Sequence, residues 1–462
     1  MREYVASILT ARRVYLYSIA LALLLWFSHV VSLPVRISYD GLGYIDAADV
    51  LFSKRFPQDW PSNRTPLYPF ALKVSFFLLG RQPAAAILVS SLAALGASLL
   101  LGEVTRRLAG ELAAAAVVVG LTAYPTLIAY EHSVLTEAGT CFFLSALLYL
   151  LVLKPRTTVA AMWTTVGIVA VLAVGSYWRT NVMVLAPVAA GCHLWWEKRL
   201  RPWRIASPQA ALILILPVVI CMPWNRYTDN AGLRDVTLKQ GMLRQALLPP
   251  EHPVIRRYME PYFGGIRDSI HDRNFYSGLR WTYISLLVDK IPSRPLGLSI
   301  PAFYWSLVRQ YPGRYFQGLG RTFIFFAGVD GAESDNRIGR EEVLTPGSKI
   351  SDGPQPLREL IRQQFQQPPA PSVAMYVLRR ISVVYDFWTI IACALLPLSL
   401  VFALWRRDLD LLVLTLIPLV YATSYACLLV SLDRFVVPAY PIALAASIIT
   451  PIVVSRQFHA ER

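Results

Sequence analysis

The sequence predicts an all-α integral membrane protein with about ten transmembrane helices. Three observations predict it. Hydrophobic residues make up 55% of the 462-residue chain and charged residues only 16%, where a soluble domain carries about 25%. The apolar residues fall in unbroken blocks of about 20, long enough to cross a hydrocarbon core of roughly 30 Å. Lys and Arg gather at alternate ends of those blocks, as the positive-inside rule requires. No stretch large enough to be a domain has the composition of an ordinary soluble enzyme.

The expected spans are 14–34, 82–102, 112–130, 134–153, 158–176, 181–196, 208–224, 384–405, 410–430 and 435–455. The first run, from Val14 to Pro34, is long for the apolar part of a signal peptide and lacks a small-x-small cleavage site, so it reads as a retained span. Arg12 and Arg13 precede it. Arg106 and Arg107 follow the second span, Lys154 and Arg156 the fourth, and Lys198, Arg199, Arg201 and Arg204 the sixth. Arg406 and Arg407 follow the eighth, and Arg456 and Arg462 the tenth. The opposite short loops hold only Arg179 and Arg434. This alternation places both termini in the cytoplasm and calls for an even number of spans.

Three regions follow. Residues 1–224 form a membrane module with a first external loop at 35–81. Residues 225–383 form a large external loop, and 384–462 the last helices. Within the large loop, 299–328 carries apolar patches among Tyr, Trp and Arg, as interfacial helices do. The segment 330–372, rich in Gly, Pro, Gln and charge, reads as an irregular loop. No internal repeat is visible, which gives an inverted-repeat transporter no support. The net charge of +15 is accounted for by the basic membrane faces, and no nucleic-acid motif accompanies it. Cys141, Cys192, Cys221, Cys393 and Cys427 all lie in apolar blocks without C-x-x-C spacing. They read as small hydrophobes rather than disulfide or zinc cysteines.

The first external loop carries the chemistry. It runs Ser38-Tyr39-Asp40-Gly41-Leu42-Gly43-Tyr44-Ile45-Asp46-Ala47-Ala48-Asp49, which puts Asp40 near the outer interface with Asp46 and Asp49 at helical spacing after it. A carboxylate held there can serve as a general base towards a hydroxyl or amine. The plainer reading is a set of solvated loop acids, or a helix start with Asp40 as its N-cap. The loop ends Asn63-Arg64-Thr65-Pro66-Leu67-Tyr68-Pro69-Phe70 and leads into an apolar helix of about 14 residues, short for a span and suited to the interface. Arg64 at that helix start is placed to bind a phosphate, or simply to reach the headgroups.

These motifs, in this order, resemble the GT-C superfamily of membrane glycosyltransferases, in the branch of protein O-mannosyltransferases and aminoarabinose–lipid A transferases. The resemblance is carried by Asp40, Tyr44 and Ala47 in an Asp-x3-Tyr-x2-Ala pattern, and by Arg-x-Pro-Leu-Tyr-Pro from Arg64 to Pro69. Further likeness lies in Glu131-His132-Ser133-Val134-Leu135-Thr136-Glu137, in Pro223-Trp224-Asn225-Arg226-Tyr227 followed by Gly232, and in Asp433-Arg434-Phe435 with Pro438 and Pro441. Asn225 and Arg226 are displaced relative to the family's order. The resemblance implies that Asp40 is the catalytic base and that Arg64 holds the donor's phosphate. It implies further that Tyr44, Glu137, His132, Arg179, Arg226 and Arg434 contribute to the substrate site. For His132 a structural role competes, and for Arg179 and Arg434 a salt bridge does. The implied donor is a polyprenyl-phosphate sugar, and the implied partners are membrane lipids and an envelope acceptor: a lipid, glycan or protein. A divalent metal is left undetermined, with Asp40, Asp46 and Glu137 as oxygen donors.

Two other functions compete. An envelope polysaccharide polymerase or ligase would use a lipid-diphosphate donor and depend on arginines of the 225–383 loop. A lipid or sugar transporter would place charges or broken helices at mid-membrane, where Glu103 and Glu137 are the nearest candidates. The expected location is a bacterial inner membrane, with the site facing the periplasm or exterior.

Overall fold

The computed structural model describes residues 2–61, 64–155, 157–200, 203–227, 230–244, 247–249, 251–258, 288, 290–326, 372–428 and 436–460. Among these the regular structure is helical, apart from one isolated bridge between Arg36 and Ser133. In chain order the helices are α1 (Arg2–Ser32), α2 (Tyr39–Val50), α3 (Leu67–Leu79), α4 (Pro83–Ala109), α5 (Glu111–Thr122), α6 (Pro125–Glu131), α7 (Glu137–Val152), α8 (Thr158–Trp178), α9 (Ala186–Leu200) and α10 (Trp203–Tyr227). They continue with α11 (Asn230–Arg244), α12 (Pro253–Tyr258), α13 (Ile300–Gln310), α14 (Pro312–Phe326), α15 (Ser372–Arg406), α16 (Leu409–Ala426) and α17 (Tyr440–Ala460).

Seven helices are long and apolar enough to cross a membrane: Thr10–Ser32, Pro83–Ala109, Thr158–Trp178, Ala206–Trp224, Tyr376–Arg406, Leu409–Ala426 and Val437–His459. This is a multi-pass membrane protein. An eighth crossing exists if α5 and α6, bent by 52° at their junction, act as one span. The sequence suggested a straight span at 112–130. Pro125, which opens α6, breaks it because proline has no N–H to continue the ladder. The expected spans at 134–153 and 181–196 correspond to shorter elements. The first becomes the 16-residue α7. The second opens with a 3₁₀ turn at Thr180–Leu185 before the 15-residue α9. The short external helix is α3, 13 residues long, or about 20 Å at 1.5 Å per residue.

The chain divides into two compact units, Met1–Arg226 with Asn336–Tyr421 and Val437–Arg462, and Tyr227–Asp335 with Ala422–Val436. In the first, α4 lies against α1, α5 and α7. Lipid gives little hydrophobic drive between helices, so close packing depends on small residues. Ala86, Ser90, Ala94, Ala97, Ser98 and Gly102 on α4 are all buried. Hydrogen bonds tie in the late helices: Tyr385 Oη donates to the Gly120 carbonyl at 2.7 Å, and Arg456 Nη2 to the Ala109 carbonyl at 2.9 Å. Lys154 pairs with Asp410. The cysteines are free, with Cys141, Cys192 and Cys221 buried and Cys393 and Cys427 half-buried.

The second unit has its own core, built from Leu238, Met242, Leu247, Ile255, Phe303 and Tyr304 among others. α13 is amphipathic: Ile300, Phe303, Tyr304 and Leu307 face inward while Trp305 is exposed. α14 exposes Phe316 and Ile324. These are the helices expected at 299–328. The irregular segment expected at 330–372 falls outside the described residues, Ser372 excepted.

Gly139 on α7 makes one packing demand explicit. A Cβ there would stand 2.2 Å from two ring carbons of Trp178. That indole cannot retreat freely, because it is buried and its Nε1 donates to the Thr136 carbonyl at 2.8 Å. Overpacking of this kind costs about 1–3 kcal/mol. Gly139→Ala is therefore expected to lower the unfolding temperature in detergent, and a variant melting with the wild type would show that Trp178 has room to move.

Candidate active site

α1 ends at Ser32 just before Pro34, and an extended segment follows. Arg36 N–H donates to the His132 carbonyl at 2.8 Å, and Val134 N–H donates to the Arg36 carbonyl at 3.1 Å. This short parallel bridge fixes the direction in which α2 starts. Ser38 is the N-cap of α2, its Oγ accepting from Gly41 N–H at 3.2 Å. Asp40 is thus not the cap that the plainer sequence reading allowed. It sits in the first turn, where the helix dipole favours a carboxylate.

Arg64 closes on Asp40 from the other end of the loop. Its Nη2 lies 2.8 Å from Asp40 Oδ1, with side-chain exposures of 13% for Arg64 and 30% for Asp40. Gly43 makes room, since a Cβ there would meet Arg64 Nη2 at 2.9 Å. The guanidinium carbon stands 4.4 Å from the Tyr44 ring centre. Burial opposes the charge on Arg64, but Tyr44 and Asp40 outweigh it and raise its pKa above the ordinary value.

A second ion pair stands nearby in the same unit. Arg179 Nη1 lies 3.0 Å from Glu137 Oε1, with Glu137 buried at 3% exposure and Arg179 half-buried at 12%. Arg179 Nη1 also donates to Thr136 Oγ1 at 3.1 Å. The two pairs share a scaffold. Thr65, beside Arg64, donates from Oγ1 to the Trp178 carbonyl at 2.7 Å. Tyr44 packs edge-on against Tyr68 at 5.0 Å, and Tyr68 packs on Trp178 at 4.8 Å. Thr65, Tyr68 and Trp178 were not singled out from the sequence as site residues. Tyr68 lies within the Pro-Leu-Tyr-Pro motif, and Trp178 immediately precedes Arg179.

The other expected site residues behave differently. His132 does not join the Asp40–Arg64 pair. It is fully enclosed, at 0% exposure, against His29 and Glu131, because its backbone is used by the Arg36 bridge in a tight turn ahead of α7. Arg226 lies in the last turn of α10. Arg434 lies outside the described residues, as does Asp433. Asp46 is exposed near Arg55, at 3.9 Å, and Asp49 pairs with Arg81 at 2.9 Å, so these two are the solvated acids of the plainer reading. Asp40, Asp46 and Glu137 each face a separate arginine and do not converge as a metal-binding set. Glu103 pairs with Arg106 and Arg107 at the end of α4.

No protein-family model matches the chain, and no curated protein matches it. Among solved structures, the chain is similar to ArnT from Cupriavidus metallidurans in the apo state, at 15% identity and a TM-score of 0.38, over 94% of this chain and 77% of that one. It is similar also to that ArnT bound to undecaprenyl phosphate, at 14% identity and a TM-score of 0.36, over 96% and 77%. Likeness of this degree transfers no residue role, so the site stands on its own geometry.

Chemically, the arrangement offers one partly exposed carboxylate, two arginines and a wall of aromatic rings. Among the described residues, Glu137 Oε2 is buried without a hydrogen-bond partner. It is an acceptor that a hydroxyl-bearing substrate can satisfy.

Proposed function

We propose that this protein is an inverting glycosyltransferase. It moves a sugar from a polyprenyl-phosphate donor to an envelope acceptor (a lipid, glycan or protein) at the outer face of the bacterial cytoplasmic membrane. Both termini lie in the cytoplasm, and the site faces the periplasm or exterior. The observation that carries this reading is the 2.8 Å pair of Asp40 and Arg64 just past the first span: a base and a phosphate binder side by side, in a loop with the GT-C motif order.

The donor's isoprenoid tail stays in the bilayer, which brings its phosphate to headgroup depth. Arg64 binds that phosphate, its planar fork matching two oxygens. Since Arg64 otherwise holds Asp40, the phosphate competes for the same guanidinium and releases the carboxylate. Asp40 then takes the proton from the acceptor hydroxyl or amine as its lone pair attacks the anomeric carbon. The bond from that carbon to the phosphate oxygen breaks on the opposite face, and the electron pair leaves with the polyprenyl phosphate. Arg64 offsets the charge developing there. Glu137, held by Arg179, orients the sugar or acceptor through its second oxygen.

The test is transfer in nanodiscs from a panel of radiolabelled polyprenyl-phosphate sugars to a crude envelope extract. Movement of label from one donor is the expected result. Transfer only from lipid-diphosphate glycans would replace this reading with the polymerase one. Arg64→Lys should cost about 10- to 100-fold in kcat/KM for the donor, the loss of one charge-assisted hydrogen bond of roughly 1.5–3 kcal/mol. Unchanged kinetics in that variant would remove Arg64 from the phosphate site.

A further inference from the structure

The geometry points to a buried divalent-metal site formed by His29, Glu131 and His132, independent of the proposed transfer reaction. One ligand atom from each residue lies within 4.8 Å of the other two. Their exposures are 6%, 2% and 0%. His29 comes from the last turn of α1, Glu131 from the end of α6, and His132 from the residue that caps it.

The polar atoms of this cluster need a partner. Among the described residues, both nitrogens of His29, both of His132 and Oε1 of Glu131 are buried without a hydrogen bond. His29 Nδ1 and Glu131 Oε1 are 3.6 Å apart, too far for a hydrogen bond between them. The Leu33 and Pro34 carbonyls face the His132 ring but leave its nitrogens unsatisfied. Trp26 hydrogen-bonds to the Glu131 carboxyl but leaves Oε1 without a partner, and a cation bound there would both satisfy that oxygen and offset the cost of burying the ionised carboxylate.

The donor set and spacing fit Zn²⁺ or a similar ion. Two imidazoles and a carboxylate form a known three-ligand zinc set. Around a tetrahedral ion with ligands at about 2.0–2.1 Å, neighbouring donor atoms sit about 3.3 Å apart. The 3.6 Å pair is already near that value, and the other donor atoms, all within 4.8 Å of one another, would have to draw in around the ion. The two rings meet edge-on, at 5.7 Å and 62°.

The ion would tie the end of α1 to the end of α6. The segments on either side carry Asp40 and Glu137, and the Arg36–His132 bridge already joins them.

The experiment uses full-length protein on a histidine-free tag, stripped with a chelator in detergent and titrated with Co²⁺. The expected result is visible d–d absorption of a low-coordinate site, saturating at about one ion per chain and displaced by Zn²⁺. Zn²⁺ should also raise the unfolding temperature. His29→Gln, Glu131→Gln and His132→Gln should each abolish the absorption. Folded wild type that shows no such absorption and retains no Zn²⁺ after desalting would overturn the proposal, whatever the variants do. Absorption that persists undiminished in all three variants would overturn it too, by placing the ion elsewhere.

Discussion

Asp40→Asn is expected to lower kcat for sugar transfer by about 10²–10⁴-fold, the usual contribution of a positioned general base. The substitution keeps the shape and one hydrogen-bond acceptor for Arg64, and it removes the group that takes the proton. The fold should survive. Asp40 is 30% exposed, and such partly exposed pairs contribute far less than buried ones. The donor's KM should stay level or fall, because the carboxylate that competes with phosphate for Arg64 is gone. This combination separates a base from a structural acid: lost structure would raise KM, lower the yield of folded protein, or both. Wild-type kcat in the folded variant would remove Asp40 from the chemistry.

Much of the architecture was legible because bilayer spans need long apolar runs, and seven of the expected runs became spanning helices. α2 and the short α3 were legible as well, the first from the spacing of Asp40, Asp46 and Asp49 and the second from its length. The bend at Pro125 escaped because hydropathy is blind to backbone geometry, although the proline itself was in view. The start of α7 was missed for a related reason. The expected span opened at residue 134, yet the Val134 N–H is spent on the Arg36 carbonyl and the helix starts only at Glu137.

The candidate site was legible residue by residue and not pair by pair. Asp40, Arg64, Glu137 and Arg179 each stood out for a charge placed near a span end. That Arg64 meets Asp40, and Arg179 meets Glu137, depends on how loops from distant parts of the chain return to the same place. His132 shows the cost of that blindness. In sequence it neighbours Glu137 and so suggested a shared cavity, whereas its partners are Glu131 beside it and His29 at the end of the first span. A histidine in an apolar span end is easily passed over until its neighbours are known.

Glu137→Gln should reverse the balance of effects expected for Asp40. Its carboxylate is buried, at 3% exposure, and its partner Arg179 is largely enclosed, at 12%, so the substitution removes a buried anion from a guanidinium with little access to water. Breaking a buried pair from one side costs about 3–5 kcal/mol. The expected result is a large fall in the unfolding temperature, visible by thermal denaturation in detergent before any assay of transfer. The hydrogen bond from Arg179 to Thr136 Oγ1 remains in the variant, and a hydrogen bond to a neutral group offsets only part of a lost charge pair. Glu137→Gln combined with Arg179→Gln should recover part of the loss, since neither variant side chain is charged. The non-additivity should be of the order of 0.5–3 kcal/mol seen for coupled neighbours. Additive destabilisation would mean that the two charges do not depend on each other. A single variant as stable as the wild type would mean that Arg179 finds another anion, which in a donor site is the position a phosphate would take.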